Sequence, residues 1–317
     1  MNGTTRTLLR FVAAICIGLA ALIGVQAHAQ TKVRVGAQTI GDYIAAYLAQ
    51  EHGIYRKHGL DVTVEPITVS TLAAASLMSR SLDVATFNLP DMIQAVENGI
   101  DLVAFTGIAE LAARGGTRSG VVVQPDSNIR QPADFVGRKV GISALGSLLH
   151  ILFQKYLMDN GVDPQKVVYV EIPIPSHFDV MKNRSVDGVV TADPMMARIL
   201  KTGTGTEVVA FGETVPPHTL STAVVTTRDF AQKNPEVIAR FRAAWQEATD
   251  LAMNEPETAR AAIVKYLKLP EPVAATLDLP LTLTTRISVD KFQWWQDVMR
   301  EQRLIPGKAD MSKHILP

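Results

Sequence analysis

From Thr31 onward the chain alternates short apolar runs with amphipathic stretches. "VRVGAQ" leads through "TIGD" into a helical pattern, and "DVTVEPI" follows "KHGL" as a second strand. "KVGISALGS" and "VVYVEIPI" repeat that order further on, and "GVVVQ" and "TLSTAVVTTRDF" read as strands that carry the chain from one half to the other. After "TLSTAVVTTRDF" the pattern turns helical. "NPEVIARFRAAWQEATDLAMN" places Val237, Phe241, Ala244, Trp245, Ala248 and Leu251 on one face, the spacing of an amphipathic helix. "EPETARAAIVKYLKL" and "VDKFQWWQDVMREQRLI" continue it. Strands alternating with helices predict an α/β chain of mainly parallel sheets with helices on both faces. In such sheets ligands bind at the edge where the strands' C-terminal ends and their loops gather.

An internal repeat organises these elements. "RSLDVATFNLPDMIQAVENG" (80–99) and "RSVDGVVTADPMMARILKTG" (184–203) align without gaps. They pair Arg80 with Arg184, Ser81 with Ser185, Asp83 with Asp187, Pro90 with Pro194, Met92 with Met196 and Gly99 with Gly203. Each reads as a strand, a loop ending in proline, and a helix. Proline suits the first helical turn, where its missing N–H is no loss, and glycine suits the stop. Upstream of each copy lies a strand, a glycine, four residues and a second glycine: Gly36 with Gly41, and Gly141 with Gly146. Two βα pairs therefore occur twice, and two lobes facing each other would form a cleft. The predicted division is 30–115 for the first part of lobe one, 116–224 for lobe two, and 225–317 for a return to lobe one with C-terminal helices.

The first 29 residues stand apart. A basic start (Arg6, Arg10), the apolar run "FVAAICIGLAALIGV" and Ala27 and Ala29 in an A-x-A pattern make a secretory leader cleaved near Ala29. The expected location is periplasmic. Cys16, the single cysteine, lies inside that run, so the exported chain has no disulfide, thiolate metal site or cysteine nucleophile. Without the leader's two arginines, 29 basic residues face 31 acidic ones. A nearly neutral chain without basic runs argues against a nucleic-acid partner.

Candidate chemistry follows from the loops. "VGISALGSLLH" (140–150) resembles a P-loop in its glycine spacing, but Ser147 and Leu148 stand where that motif needs lysine and a hydroxyl residue. The turn can still hold an anion, because a helix start presents free N–H groups and the positive end of a dipole, worth roughly 0.3–1 kcal/mol at an exposed site. Ser147 serves the anion or merely caps the helix. The equivalent loops contribute Gln38, Thr39, Asp42 and Tyr43, then Asn88 and Leu89, in lobe one. In lobe two they contribute Leu145, Gly146, Ser147 and Leu148, then Thr191 and Asp193. Asp193 pairs with a ligand donor or acts as an acidic helix cap. His150 packs in the core or approaches a ligand. His52, His58, His177, His218 and His314 lie in no metal-binding spacing, and there is no G-x-S-x-G elbow. Trp294 and Trp295 belong to the C-terminal amphipathic helix.

"VGAQTIGDYIAAYLAQEHGIYRKHGLDVTV", "SLDVATFNLPDMIQAVENGIDLV", "NIRQPADFVGRKVGI" and "SVDGVVTADP" resemble the nitrate/sulfonate/taurine/thiamine-precursor class of ABC-transporter substrate-binding proteins, over nearly all of the exported chain. In the third phrase Phe135 replaces the family's usual leucine and Arg138 its usual lysine. The resemblance implies a two-lobed type II periplasmic-binding-protein fold that closes on a small polar or anionic solute and docks transiently, as a monomer without cofactor, on an inner-membrane ABC permease. It implies solute contacts at Gln38 to Tyr43, Phe87 to Leu89, Leu145 to Leu148 and Thr191 to Asp193. No arginine clamp for a polyanion is present in these loops. Sulfonates, taurine-like solutes with Ser147 and Asp193 serving the two ends, nitrate, aromatic carboxylates and pyrimidine precursors remain open. An enzyme on the same scaffold and a sensory binding protein are the alternatives.

Overall fold

A computed structural model describes residues 30–67, 71–111, 118–275, 277, 279 and 282–317. The leader and most of the first connection lie outside them. Ten strands occur among the described residues: β1 (Thr31–Gln38), β2 (Leu60–Ile67), β3 (Val84–Asn88), β4 (Leu102–Glu110), β5 (Ser119–Val123), β6 (Lys139–Ile142), β7 (Val168–Glu171), β8 (Gly188–Ala192), β9 (Thr206–Ala210) and β10 (Leu220–Thr227). They form two five-stranded sheets, ordered β2-β1-β3-β10-β4 and β7-β6-β8-β5-β9. Both are flanked by helices.

The sheets are mixed. β1 pairs parallel with β2 and β3, and β6 parallel with β7 and β8. β10 runs antiparallel to β3 and β4, and β5 antiparallel to β8 and β9. Four strands of each sheet thus point one way and the fifth against them. The reversed strands are the two that bring the chain across from the other sheet, so each enters without the helical crossover that makes neighbours parallel.

The repeat has a structural meaning at four of its six pairs, while the prolines part company: Pro90 lies in the first turn of its helix and Pro194, after a cis peptide, at the N-cap. Asp83 N–H donates to the Arg34 carbonyl at 2.9 Å, and its carboxylate accepts from Arg34 N–H at 2.8 Å. Asp187 makes the same pair with Lys139, at 2.8 and 2.7 Å. Each aspartate fastens the start of a strand to its neighbour. Arg80 and Arg184 both adopt left-handed backbone, with φ of 58° and 54°, and end the preceding helix as glycine commonly does. Gly99 and Gly203 end the following helices at φ of 84° and 67°. Met92 and Met196 are wholly buried.

The C-terminal helices pack on the first sheet's side. Phe241, from helix Pro235–Asn254, lies 5.4 Å from Tyr55 and 5.6 Å from Phe105 between ring centroids. Trp295, from helix Val289–Glu301, is fully buried and donates from its indole N–H to the Leu220 carbonyl at 2.7 Å. Just past that helix, the Gln302 amide donates to the Ile151 carbonyl at 2.8 Å, reaching the second sheet's helix Leu148–Asp159. One buried cluster runs continuously from Ala85, Phe87 and Ala223 of the first sheet to Val121, Val140 and Val190 of the second.

Candidate functional site

In the first half, β1 ends at Gln38 and a 3-10 turn, Gly41–Tyr43, leads into helix Ile44–Glu51. Gln38 is buried, Thr39 exposed and Asp42 half-buried. The Tyr43 hydroxyl, almost wholly buried, donates to Asn88 Oδ1 at 3.2 Å. The Asn88 amide donates in turn to Asp91 at 2.9 Å, in the first turn of helix Leu89–Glu97. Burial, aided by the Asp42 and Asp91 charges, pushes the Tyr43 phenol up from its ordinary value, so it stays neutral. Thr222 stands opposite Asn88 across β10 and β3. Its hydroxyl and that of Thr86 are buried without a partner. Phe87 and Leu89 are sealed in the core and contribute shape rather than polar contact.

In the second half, the turn after β6 carries Leu145, Gly146 and Ser147. Gly146 adopts φ +73°, with open space where a Cβ would stand. Leu145 N–H donates to a Glu171 carboxylate oxygen at 2.7 Å, and Gly146 N–H donates to His150 Nδ1 at 2.9 Å. Ser147 N–H donates to the Ala144 carbonyl at 3.2 Å, and the Ser143 hydroxyl donates to that of Ser147 at 3.1 Å. The first bond of the helix runs from Ile151 N–H to the Ser147 carbonyl. Ser147 sits at the N-cap, but its side chain makes no capping bond. The N–H groups of Leu148, Leu149 and His150 therefore have no acceptor among the described residues, although all three residues are buried.

His150 is 3% exposed, and its ring lies edge to face with Tyr169 at 4.6 Å. Burial lowers its pKa to about 4, against the opposing pull of Glu171. An Nδ1 that accepts a hydrogen bond leaves the proton of a neutral imidazole on Nε2, and that buried Nε2 has no partner.

At the end of β8, Thr191 is fully buried and its hydroxyl is unpartnered. Asp193, joined to Pro194 by a cis peptide, is 6% exposed. One carboxylate oxygen accepts from Arg118 N–H at 3.0 Å and the other from Ala197 N–H at 2.9 Å. Burial raises its pKa despite these bonds. The contacts are those of an acidic helix cap. The Arg118 guanidinium pairs with Glu207 at 2.5 Å.

Four other histidines have partners within the chain, although the buried His177 Nδ1 has none. His177 is buried and its Nε2 lies 2.9 Å from the Ile172 carbonyl, while burial lowers its pKa to about 4. His58 and His218 pair with Glu247 and Glu110, and His314 meets the Leu102 carbonyl. Among the described residues no cluster of His, Cys, Asp or Glu could hold a metal, and no helix is long and apolar enough to cross a membrane.

Glu171, Tyr169, Arg118 and Thr222 escaped the sequence reading. Glu171 carried a usable signal, since it ends the strand that answers β2 in the repeat, on the edge where the loops gather. Arg118 carried none, because its place beside Asp193 depends on a crossing strand.

The sequence profile described as NMT1/THI5-like matches residues 41–259. The taurine-binding periplasmic protein of Escherichia coli K12 is 25% identical over 261 residues, 81% of this chain and 75% of its own length. The periplasmic aliphatic sulphonate binding protein of Escherichia coli superposes with a TM-score of 0.77 at 24% identity, covering 90% of this chain and 97% of that one. The desulfurization enzyme DSZB shares the fold at a TM-score of 0.67 and 16% identity, covering 90% and 96%. Relatives of this chain are thus solute-binding proteins, and the fold is that of the periplasmic binding proteins.

Proposed function

The chain belongs to the NMT1/THI5-like family, and on that premise we propose that it is an exported protein that closes two lobes on a small monoanionic solute and delivers it to an ABC permease. The lobes are 30–115 with 225–317, and 116–224, behind a leader of residues 1–29. The observation that carries this reading is the helix start at Leu148, Leu149 and His150, buried residues whose N–H groups have no acceptor among the described residues. N–H groups left open at a helix start call for an acceptor, and that position favours an anionic one. A sulfonate or nitrate presents three oxygens to those groups. In the first half, the Tyr43 hydroxyl and the Asn88 amide, with Asp91 behind them, supply polar contacts without a cation, which suits a single negative charge rather than a polyanion. Both oxygens of Asp193 already accept from backbone N–H groups, so its bonds serve the helix cap and the proposal does not call on it for an ammonium in the solute.

Binding is favoured over catalysis by the state of His150. Its Nδ1 lone pair is taken by Gly146 N–H, which leaves it no free base. Calorimetry and thermal shift with ethanesulfonate, taurine, nitrate, benzoate and a pyrimidine test the reading. One class should stabilise the protein by about 2.7 kcal/mol at a hundred times its Kd. Stabilisation by none of them, or turnover of a bound one, would defeat it. Co-purification with a receptor in place of a permease would favour the sensory alternative.

A further inference from the structure

The turn 145–147 is not an empty cradle. Two of its backbone N–H groups are already occupied by side chains of its own lobe: Glu171 takes that of Leu145 and His150 takes that of Gly146. The two side chains come from different elements, the end of β7 and the first turn of helix Leu148–Asp159. Gly146 is left-handed there, and a Cβ at that position would meet nothing within 4 Å.

We propose that His150 and Glu171 are positioning residues that clamp the Leu145–Ser147 turn and so decide which N–H groups meet the solute. The clamp withdraws the N–H groups of Leu145 and Gly146 and leaves those of Leu148, Leu149 and His150. It requires an unprotonated His150 Nδ1, because a protonated one would present a donor to the Gly146 donor. Glu171 also places a carboxylate beside the turn, which keeps a second negative charge away from it. The solute's charge is therefore met at the helix start alone. The clamp itself is a property of the unliganded protein, while its effect on affinity rests on the solute-binding reading above.

Amide hydrogen exchange and imidazole 15N NMR on the protein without solute test the clamp directly. Leu145 and Gly146 amides should be protected, and the His150 spectrum should show a bare Nδ1 with the proton on Nε2. His150→Ala should lower Gly146 protection by about tenfold, the loss of one hydrogen bond of roughly 1.4 kcal/mol. His150→Asn, which keeps an acceptor, should retain it. Glu171 is exposed, so Glu171→Ala folds and should release Leu145 alone, while Glu171→Gln should not. In calorimetry with ethanesulfonate, the two alanine variants should each lose about tenfold in affinity, and Glu171→Gln should bind at least as tightly as the unmodified protein. An Nδ1-protonated ring, unprotected amides in the unmodified protein, or alanine variants that match it would overturn the clamp. If the exchange pattern holds but ethanesulfonate does not bind, the clamp stands and the sulfonate reading falls. If ethanesulfonate binds and the variants change nothing, the reverse follows.

Discussion

The two halves of the molecule share a scaffold and differ at the jaws. Asp83 and Asp187, Arg80 and Arg184, Gly99 and Gly203, and Met92 and Met196 do equivalent work. At the strand ends the equivalence stops. Gly146 is left-handed, but Gly41 is not. Where the first half has Leu89 in the core, the second has Asp193 gripping Arg118 and Ala197. The first half has a polar network of Tyr43, Asn88 and the Asp91 carboxylate there, and the second a helix start braced by His150 and Glu171. Residues that recur in both halves maintain the backbone. The loop residues that follow the strands are not held to that pattern.

Methionine truncation should strike both halves equally. Met92→Ala and Met196→Ala each remove a wholly buried side chain and should cost roughly 2–5 kcal/mol in denaturant unfolding. A large cost at one site and none at the other would break the equivalence.

Acid should separate the halves. The buried histidines His150 and His177 both flank the second sheet, and burial holds each near 4 against an ordinary 6.5. Above pH 6.5 each is neutral in both folded and unfolded states. Between 6.5 and about 4 the unfolded chain binds protons that the folded chain refuses, so stability falls by about 1.4 kcal/mol per pH unit for each histidine. Below about 4 that slope ends. Asp193, whose pKa is raised by burial, opposes it at the acid end of this window. Hydrogen exchange should therefore quicken in helix Leu148–Asp159 before helix Ile44–Glu51 as pH drops, and simultaneous opening would count against the assignment.

Asp83→Ala and Asp187→Ala should cost about 1–3 kcal/mol each, since each strands a backbone N–H that the carboxylate satisfied. The Arg34 ion pair of Asp83 adds little at its exposure, so the two midpoints should shift alike. The smallest contrast lies at the first glycines. A Cβ on Gly36 would meet Leu82 at 2.4 Å and Ile67 at 2.5 Å, whereas one on Gly141 would meet Val189 at 3.1 Å and Ile172 at 3.2 Å. Gly36→Ala should fall within the overpacking range of about 1–3 kcal/mol, and Gly141→Ala at or below its lower end.

Much of the fold was legible because its signals are local or repeated. "RSLDVATFNLPD" and "RSVDGVVTADP" announced their strands and helix starts, and the structure gives their paired arginines and aspartates the same backbone roles. The direction of β5 and β10 was not legible, since strand alternation is the same whichever way a strand runs. The site was legible only as a set of loops. Ser147, a good N-cap by type, leaves its hydroxyl out of the cap. Phe87, in a loop expected to contact solute, is in the core.

The sequence by itself determined the periodicity, the repeat, the breaks at proline and glycine, and the family likeness, because these depend on neighbours a few residues apart or on a pattern written twice. Only the tertiary structure decided that Tyr43 meets Asn88, that Glu171 reaches back to Leu145, and that Asp193 closes on Arg118. Those contacts join residues 45, 26 and 75 positions apart. Each exists because sheet pairing brings separate strand ends to one edge, where polar groups distant in sequence come within hydrogen-bond reach of one another.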